Sequence, residues 1–172
     1  VNFVYGIPAY AVSLAAQVDG VSVAGAVADV CSGEVFSAAL GCGATVAAGG
    51  ERRVLRCTKV TDLAMVLIGT GFGYEPRRRA AQAALLARLL PLVRDVRRIG
   101  SAALDLCQVA AGRLDAHYEH GLNVWDWAAG ALIAAEAGAV VLTPSEPAGL
   151  LLAAAPGVSD ELRATLNALG GL

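Results

Sequence analysis

Between Val18 and Glu51 the chain carries three turn pairs, Asp19-Gly20, Ser32-Gly33 and Gly49-Gly50, each set between short runs of Val, Ala and Thr. Asp-Gly and Gly-Gly accept positive φ at both central positions of a tight hairpin. Strands joined by such turns run antiparallel to their neighbours. YAVSLAAQV and VSVAGAVAD flank the first pair, CSGEVFSA surrounds the second, and GATVAA and RRVLRC flank the third. Residues 1–57 are therefore predicted to form an antiparallel meander.

From Thr58 onward the period changes. TDLAM reads as a short helix capped by Thr61 or Asp62, and MVLIGTGF as a buried strand. In RRRAAQAALLARLLPLV, Ala81, Leu85, Leu89 and Leu92 recur at helical spacing, with Pro91 near the end. VRRIG is a short strand, and SAALDLCQVAAG a helix with Ser101 as N-cap and Gly112 beyond its end. RLDAHYE, AVVLT and GLLLAAAP read as strands, WDWAAGALIAAEAG as a helix stopped by Gly138, and SDELRATLNALG as a helix capped by Ser159. The whole is one layered α/β domain over 1–172, an antiparallel sheet followed by a mixed sheet with helices over 58–172. There are no repeats and no linker.

Composition narrows the function classes. The chain is 56% hydrophobic and only 16% charged, which supplies a core and leaves little room for disorder. Much of the apolar material is Ala, so the mean hydropathy of +0.59 overstates what each residue can bury. The formal net charge is −2, and the arginines cluster at Arg77–Arg79 and Arg94–Arg98 without interleaved aromatics, so a nucleic-acid partner is not expected. No membrane contact is expected either, because the apolar run from Ala128 is broken by Glu136, Gly138 and Pro144. VNFVYGIPAY lacks the basic and apolar regions of a signal peptide. Cys31, Cys42, Cys57 and Cys107 form no CxxC and read as reduced, mostly buried thiols of a cytoplasmic protein. With only His117 and His120 to help, they do not suggest a zinc site.

Two places could carry chemistry. Gly100 permits close backbone approach, and Ser101 opens a helix whose first amides can meet a ligand oxygen. Glu119 ends a strand, and Asp126 lies in the first turn of the next helix, between Trp125 and Trp127. Taken locally, the first is also what an ordinary strand–Gly–Ser–helix turn looks like, and Asp126 what a dipole-matching acid looks like. Their coincidence argues further, since ligands of open α/β sheets gather at strand carboxyl ends near helix N-termini. Carboxylates in such a place suit a hard cation such as Mg²⁺ together with a phosphate.

GSAALDLCQVAAGRLDAHYE followed by WDWAAGALIAAEAGA resembles the C-terminal signature of the inositol monophosphatase family. The pattern WD-x-A-A-G-x-x-I-x-x-E-A-G is matched at Trp125, Asp126, Ala128, Ala129, Gly130, Ile133, Glu136, Ala137 and Gly138, with Ala139 where a further Gly is usual. VNFVYGIPAYAVS and GTGFGY are similar to two other family segments, so the resemblance covers nearly the whole chain and is strongest to the bacterial branch. It implies part of a five-layer αβαβα sandwich and a Mg²⁺-dependent phosphomonoesterase acting on inositol phosphates, in which metal ions activate a water and stabilise the leaving alkoxide. By the same resemblance Asp126 ligates metal beside the substrate and Glu119 bonds an inositol hydroxyl. Gly100, Ser101 and Ala102 line the substrate pocket, and Trp125 and Trp127 pack around the start of the helix. A homodimer is the usual assembly.

The family's first metal motif, D-P-[IL]-D-G-T, normally stands directly before an NFV segment, which places it upstream of Val1. No catalytic residue is therefore assigned within this chain, and the chain alone is expected to be inactive. An alternative is a relative without catalysis that acts as a protein- or RNA-binding module, with Arg94, Arg97 and Arg98 supplying contacts.

Overall fold

The hairpin pairs turn where the sequence says. Asp19 and Gly20 both adopt positive φ, at 50° and 79°. They join β1 (Ala11–Val18) to β2 (Val21–Asp29), and β3 (Val35–Ala39), β4 (Ala44–Ala48) and β5 (Glu51–Val54) follow. These five strands form one antiparallel sheet in sequence order. The computed structural model describes residues 1–146 and 149–170.

The second sheet has the order β7-β6-β8-β10-β9. Its strands are β6 (Leu67–Thr70), β7 (Asp95–Arg97), β8 (Ala116–His120), β9 (Val140–Leu142) and β10 (Leu150–Ala154). β6 runs parallel to both β7 and β8, while β10 is antiparallel to β8 and β9. The mixed sheet expected from the sequence is thus present. TDLAM forms only a 3₁₀ turn, Leu63–Met65, with the Asp62 side chain accepting from the Ala64 amide.

Among the described residues, four helices accompany the sheets: α1 (Pro76–Leu89), α2 (Ala102–Ala110), α3 (Val124–Glu136) and α4 (Ser159–Ala168). α2 is buried almost all round, and α3 from Ala128 to Ala134. A helix apolar on every side belongs between two layers. Three cores separate the layers accordingly. Val27, Phe36 and Val46 of the first sheet pack on Leu104, Ala129 and Ile133. Leu106, Val109 and Ala134 pack on Leu151 and Ala153 of the second sheet. On that sheet's far face Ile68, Tyr118 and Leu152 meet Leu85 and Leu89 of α1 and Leu162 and Leu166 of α4. The stack is sheet, α2 and α3, sheet, α1 and α4.

The small residues of the A-A-G signature have a packing reason. A Cβ on Gly130 would come within 2.8 Å of Leu106 Cβ, so only glycine lets α3 approach α2 this closely. At the other end of α3, Glu136 accepts hydrogen bonds from the amides of Gly41 and Gly43, each at 2.7 Å, and so clamps the β3–β4 turn.

Several local expectations are corrected. On α1 the buried stripe is Gln82, Leu85 and Leu89, and Ala81 is exposed; Leu92 is exposed too, because it lies beyond α1 in a separate 3₁₀ turn, Leu90–Leu92, that contains Pro91. The Gln82 side chain finds a partner in the Gly73 amide at 2.9 Å. Ser159 is the first residue of α4 and not its cap, its hydroxyl donating back to the Pro156 carbonyl at 3.3 Å. All four cysteines are free, yet Cys31 and Cys42 are exposed because they fall in turns of the first sheet. Among the described residues, no helix is long and apolar enough to cross a membrane.

Candidate active site

The parallel strands β6, β7 and β8 point their carboxyl ends to one edge of the second sheet. The chain leaves β6 through α1 to β7, then crosses through α2 to β8, and the two helices lie on opposite faces. A crevice opens where such connections diverge. Here it is a cleft of about 280 Å³ lined by Gly71, Arg78, Arg98, Gly100, Glu119 and Asp126, among others.

Both sequence-predicted carboxylates therefore reach the same cleft. Glu119 comes from β8, and Asp126 from the first turn of α3, next to the N-cap Asn123. Asp126 Oδ2 accepts the Asn123 amide at 3.0 Å, which fixes its rotamer. Glu119 has only 14% of its side chain exposed. Burial pushes its carboxyl up to about 7; the Arg98 guanidinium pulls it down, and Asp126 adds to the rise. Gly71, directly after β6, makes room for it, since a Cβ there would collide with the Glu119 carboxyl group.

The Gly100–Ala102 segment divides. Gly100 lines the cleft, with φ of +94°. The Ser101 hydroxyl instead accepts from the Leu104 amide at 3.4 Å as the N-cap of α2, and Ala102 is buried at the helix start. The opening segment helps fix this loop. The Asn2 side chain donates to the Ile99 carbonyl at 3.0 Å and to the Ala9 carbonyl at 2.8 Å. The tryptophans do not both pack around the start of α3. Trp127 is half-buried against the core between α3 and the second sheet. Trp125 is 68% exposed and stands with Leu14 and Gln17 at the first sheet's edge.

Arg78 and Arg98 were not singled out as cleft residues by the sequence. Arg98 lies over the Phe72 ring, 5.9 Å from its centroid, and Arg78 packs against Gly73 and Gly121. Asp105 and His117, below the cleft, were also missed. The signal for them existed: a lone acid inside the apolar run SAALDLC, and a histidine two positions before Glu119 on the same strand face.

Magnesium takes several organised oxygen ligands in near-octahedral geometry. Among the described residues, no group of three or more His, Cys, Asp or Glu converges as a metal site would require. One Asp126 oxygen is already committed to the helix start. The residues of this chain do not by themselves fit a bound Mg²⁺.

A model of the inositol monophosphatase family matches residues 1–169. The inositol-1-monophosphatase of Mycobacterium leprae (strain TN) is 67% identical over the whole of this chain, which covers 61% of that relative. The Nus factor SuhB of Pasteurella multocida (strain Pm70) is 41% identical over 94% of this chain and 61% of its own length. Among solved structures, Mycobacterium tuberculosis SuhB superposes with a TM-score of 0.95 at 65% identity, over 99% of this chain and 69% of that one. An inositol monophosphatase from Anabaena gives 0.85 at 34% identity, over 97% and 67%. The chain thus spans 61% of the length of each of these two curated relatives. With a family model over nearly its full length and bacterial relatives at this identity, the chain belongs to the inositol monophosphatase family.

Proposed function

We propose that this chain carries the substrate-facing part of a Mg²⁺-dependent phosphatase for inositol 1-phosphate and related polyol phosphates. The observation that carries the reading is the common cleft of Glu119, Asp126 and Gly100. Glu119 accepts hydrogen bonds from polyol hydroxyls. It is ionised only above its raised midpoint of about 7, and a carboxylate is the better acceptor. Asp126, held by the start of α3, is one metal ligand. The backbone at Gly100 lets a ligand approach, while Ser101 and Ala102 act behind it by holding the start of α2. The other oxygen ligands belong to the length of the relatives that this chain does not span. The protein works as a cytoplasmic homodimer in this reading.

Phosphate release from inositol 1-phosphate with Mg²⁺ tests it. This chain alone releases none, because too few oxygen ligands are present. Hydrolysis at an ordinary enzymatic rate would refute that assignment. A chain extended to the full length of the relatives hydrolyses the ester.

A second reading, a protein- or RNA-binding regulatory module, is favoured by the relatives named Nus factor SuhB. Arg94 and Arg98 are exposed and make no salt bridge among the described residues, whereas Arg97 pairs with Asp95 at 2.5 Å. RNA binding that weakens steeply with salt supports this reading, and salt-independent or absent binding disposes of its RNA form.

A further inference from the structure

Beneath the cleft lie two titratable side chains with no part in the reading above. Asp105 on α2 is 1% exposed and His117 on β8 is fully buried. They stand in a row with Glu119. His117 Nδ1 is 3.8 Å from Asp105 Oδ2, and His117 Nε2 is 3.7 Å from Glu119 Oε2. Two periodicities make the row. His117 and Glu119 are two apart on β8 and share a face, and Asp105 lies in the first turn of α2, which packs on that face.

Neither oxygen of Asp105 and neither nitrogen of His117 has a hydrogen-bond partner within ordinary range among the described residues. Native folds seldom leave buried polar atoms so. A water donating or accepting at about 2.8 Å to each of two atoms, with a near-tetrahedral angle, holds them about 4.5 Å apart, and both gaps are shorter than that. Small side-chain rotations let the three groups satisfy one another. Gly69 of β6 leaves room for this, since a Cβ there would already lie 3.1 Å from both Asp105 Oδ1 and His117 Nδ1.

Proton counting orders the row. A neutral imidazole has one N–H and one lone pair. Between two carboxylates its lone pair would face an anion, so one carboxyl must keep a proton. The anion belongs on Glu119, which is partly solvated and faces Arg98, and not on the enclosed Asp105.

We infer that the Asp105 carboxylic acid donates to His117 Nδ1 and that His117 Nε2–H donates to Glu119 Oε2, so that Oε1 is the oxygen turned to the cleft. Asp105 and His117 are then positioning residues that act through Glu119. Their effect on how tightly a polyol is held rests on the reading above; the row itself does not. The charged and polar groups around it are Asp105 from α2, the Gly69 backbone from β6, Arg98 after β7, and Asp126 from α3 on the cleft side. Burial pushes Asp105 up to about 8 and His117 down to about 3, the nearby Gly69 backbone opposing the second shift, in keeping with an acid beside a neutral ring.

The ¹⁵N shifts of the His117 ring in the purified chain decide the row. The expected state is a neutral ring protonated at Nε2, unchanged from about pH 5 to about pH 7, below the range in which Asp105 loses its proton. A ring protonated at Nδ1 toward the Gly69 backbone, or one titrating near the ordinary histidine value, overturns it. The positioning role is read in the chain extended to the length of its relatives, with Mg²⁺. His117→Phe raises KM for inositol 1-phosphate about tenfold with a smaller change in kcat. It lowers by a similar factor the kcat/KM ratio of that ester to 4-nitrophenyl phosphate, which has no polyol. His117→Gln, whose amide can donate to Glu119, recovers most of the ratio and keeps the test decisive if Phe is not accommodated. A ratio unmoved in both variants overturns the role. If the unmutated protein hydrolyses neither ester, the phosphatase reading falls and the ring shifts still decide the row.

Discussion

Replacing Asp105 by Asn tests the buried acid through stability alone. Asp105 rises from an ordinary 3.8 to about 8, first by desolvation and then by the nearby Glu119 charge, with Arg98 opposing. A carboxyl whose folded midpoint lies above its unfolded one favours folding while protonated. Its contribution is fully present below about pH 4 and is lost as pH climbs toward about 8. Each pH unit climbed between the two midpoints removes about 1.4 kcal/mol, so the loss reaches roughly 4 kcal/mol at pH 7 and roughly 6 kcal/mol above pH 8. An amide of the same shape does not ionise and has no such loss. Steric and hydrogen-bond costs of the swap are nearly independent of pH, and Glu119 and His117 titrate in both proteins. The difference in unfolding free energy, Asn variant minus unmutated chain, therefore rises by several kcal/mol from about pH 4 to about pH 8. Urea unfolding followed by the fluorescence of Trp125 and Trp127 measures it. A difference flat to within about 0.5 kcal/mol, close to the error of the method, would show that Asp105 is ionised or reached by water and refute the reasoning.

Binding of inositol 1-phosphate strengthens between about pH 6 and about pH 8 as Glu119 ionises, and Glu119→Gln flattens that dependence and alters substrate preference; calorimetric titration across this range checks both. In the chain extended to the length of its relatives, Asp126→Asn abolishes most turnover while the melting temperature falls by only a few degrees, since the amide keeps an acceptor for Asn123. Gly130→Ala pushes a methyl onto Leu106 and costs about 1–3 kcal/mol in a denaturant melt.

The antiparallel half was legible because its turns are written in residue pairs that few other conformations use. The alternation of strand and helix after Thr58 was legible too. What failed was local. The resemblance implies that Trp125 packs around the start of α3, yet its position on that helix faces the rim of the first sheet. Ala81 fitted the helical period as well as Gln82 did, and sequence had no way to see the Gly73 amide waiting for the glutamine. Glu119 and Asp126 were found together through a long signature. Ser101, in the same signature, caps the start of α2 as its place after Gly100 foretells. In the sequence Asp105 and His117 each resemble a satisfied core polar residue; only the fold sets them in line with Glu119.

α3 is fastened at both ends. Its first turn presents Asp126, its last residue grips the amides of Gly41 and Gly43, and about 15 Å of helix lies between. One rigid support therefore serves two distant parts: the meander's β3–β4 turn and the carboxylate of the cleft hang from opposite ends of the same helix.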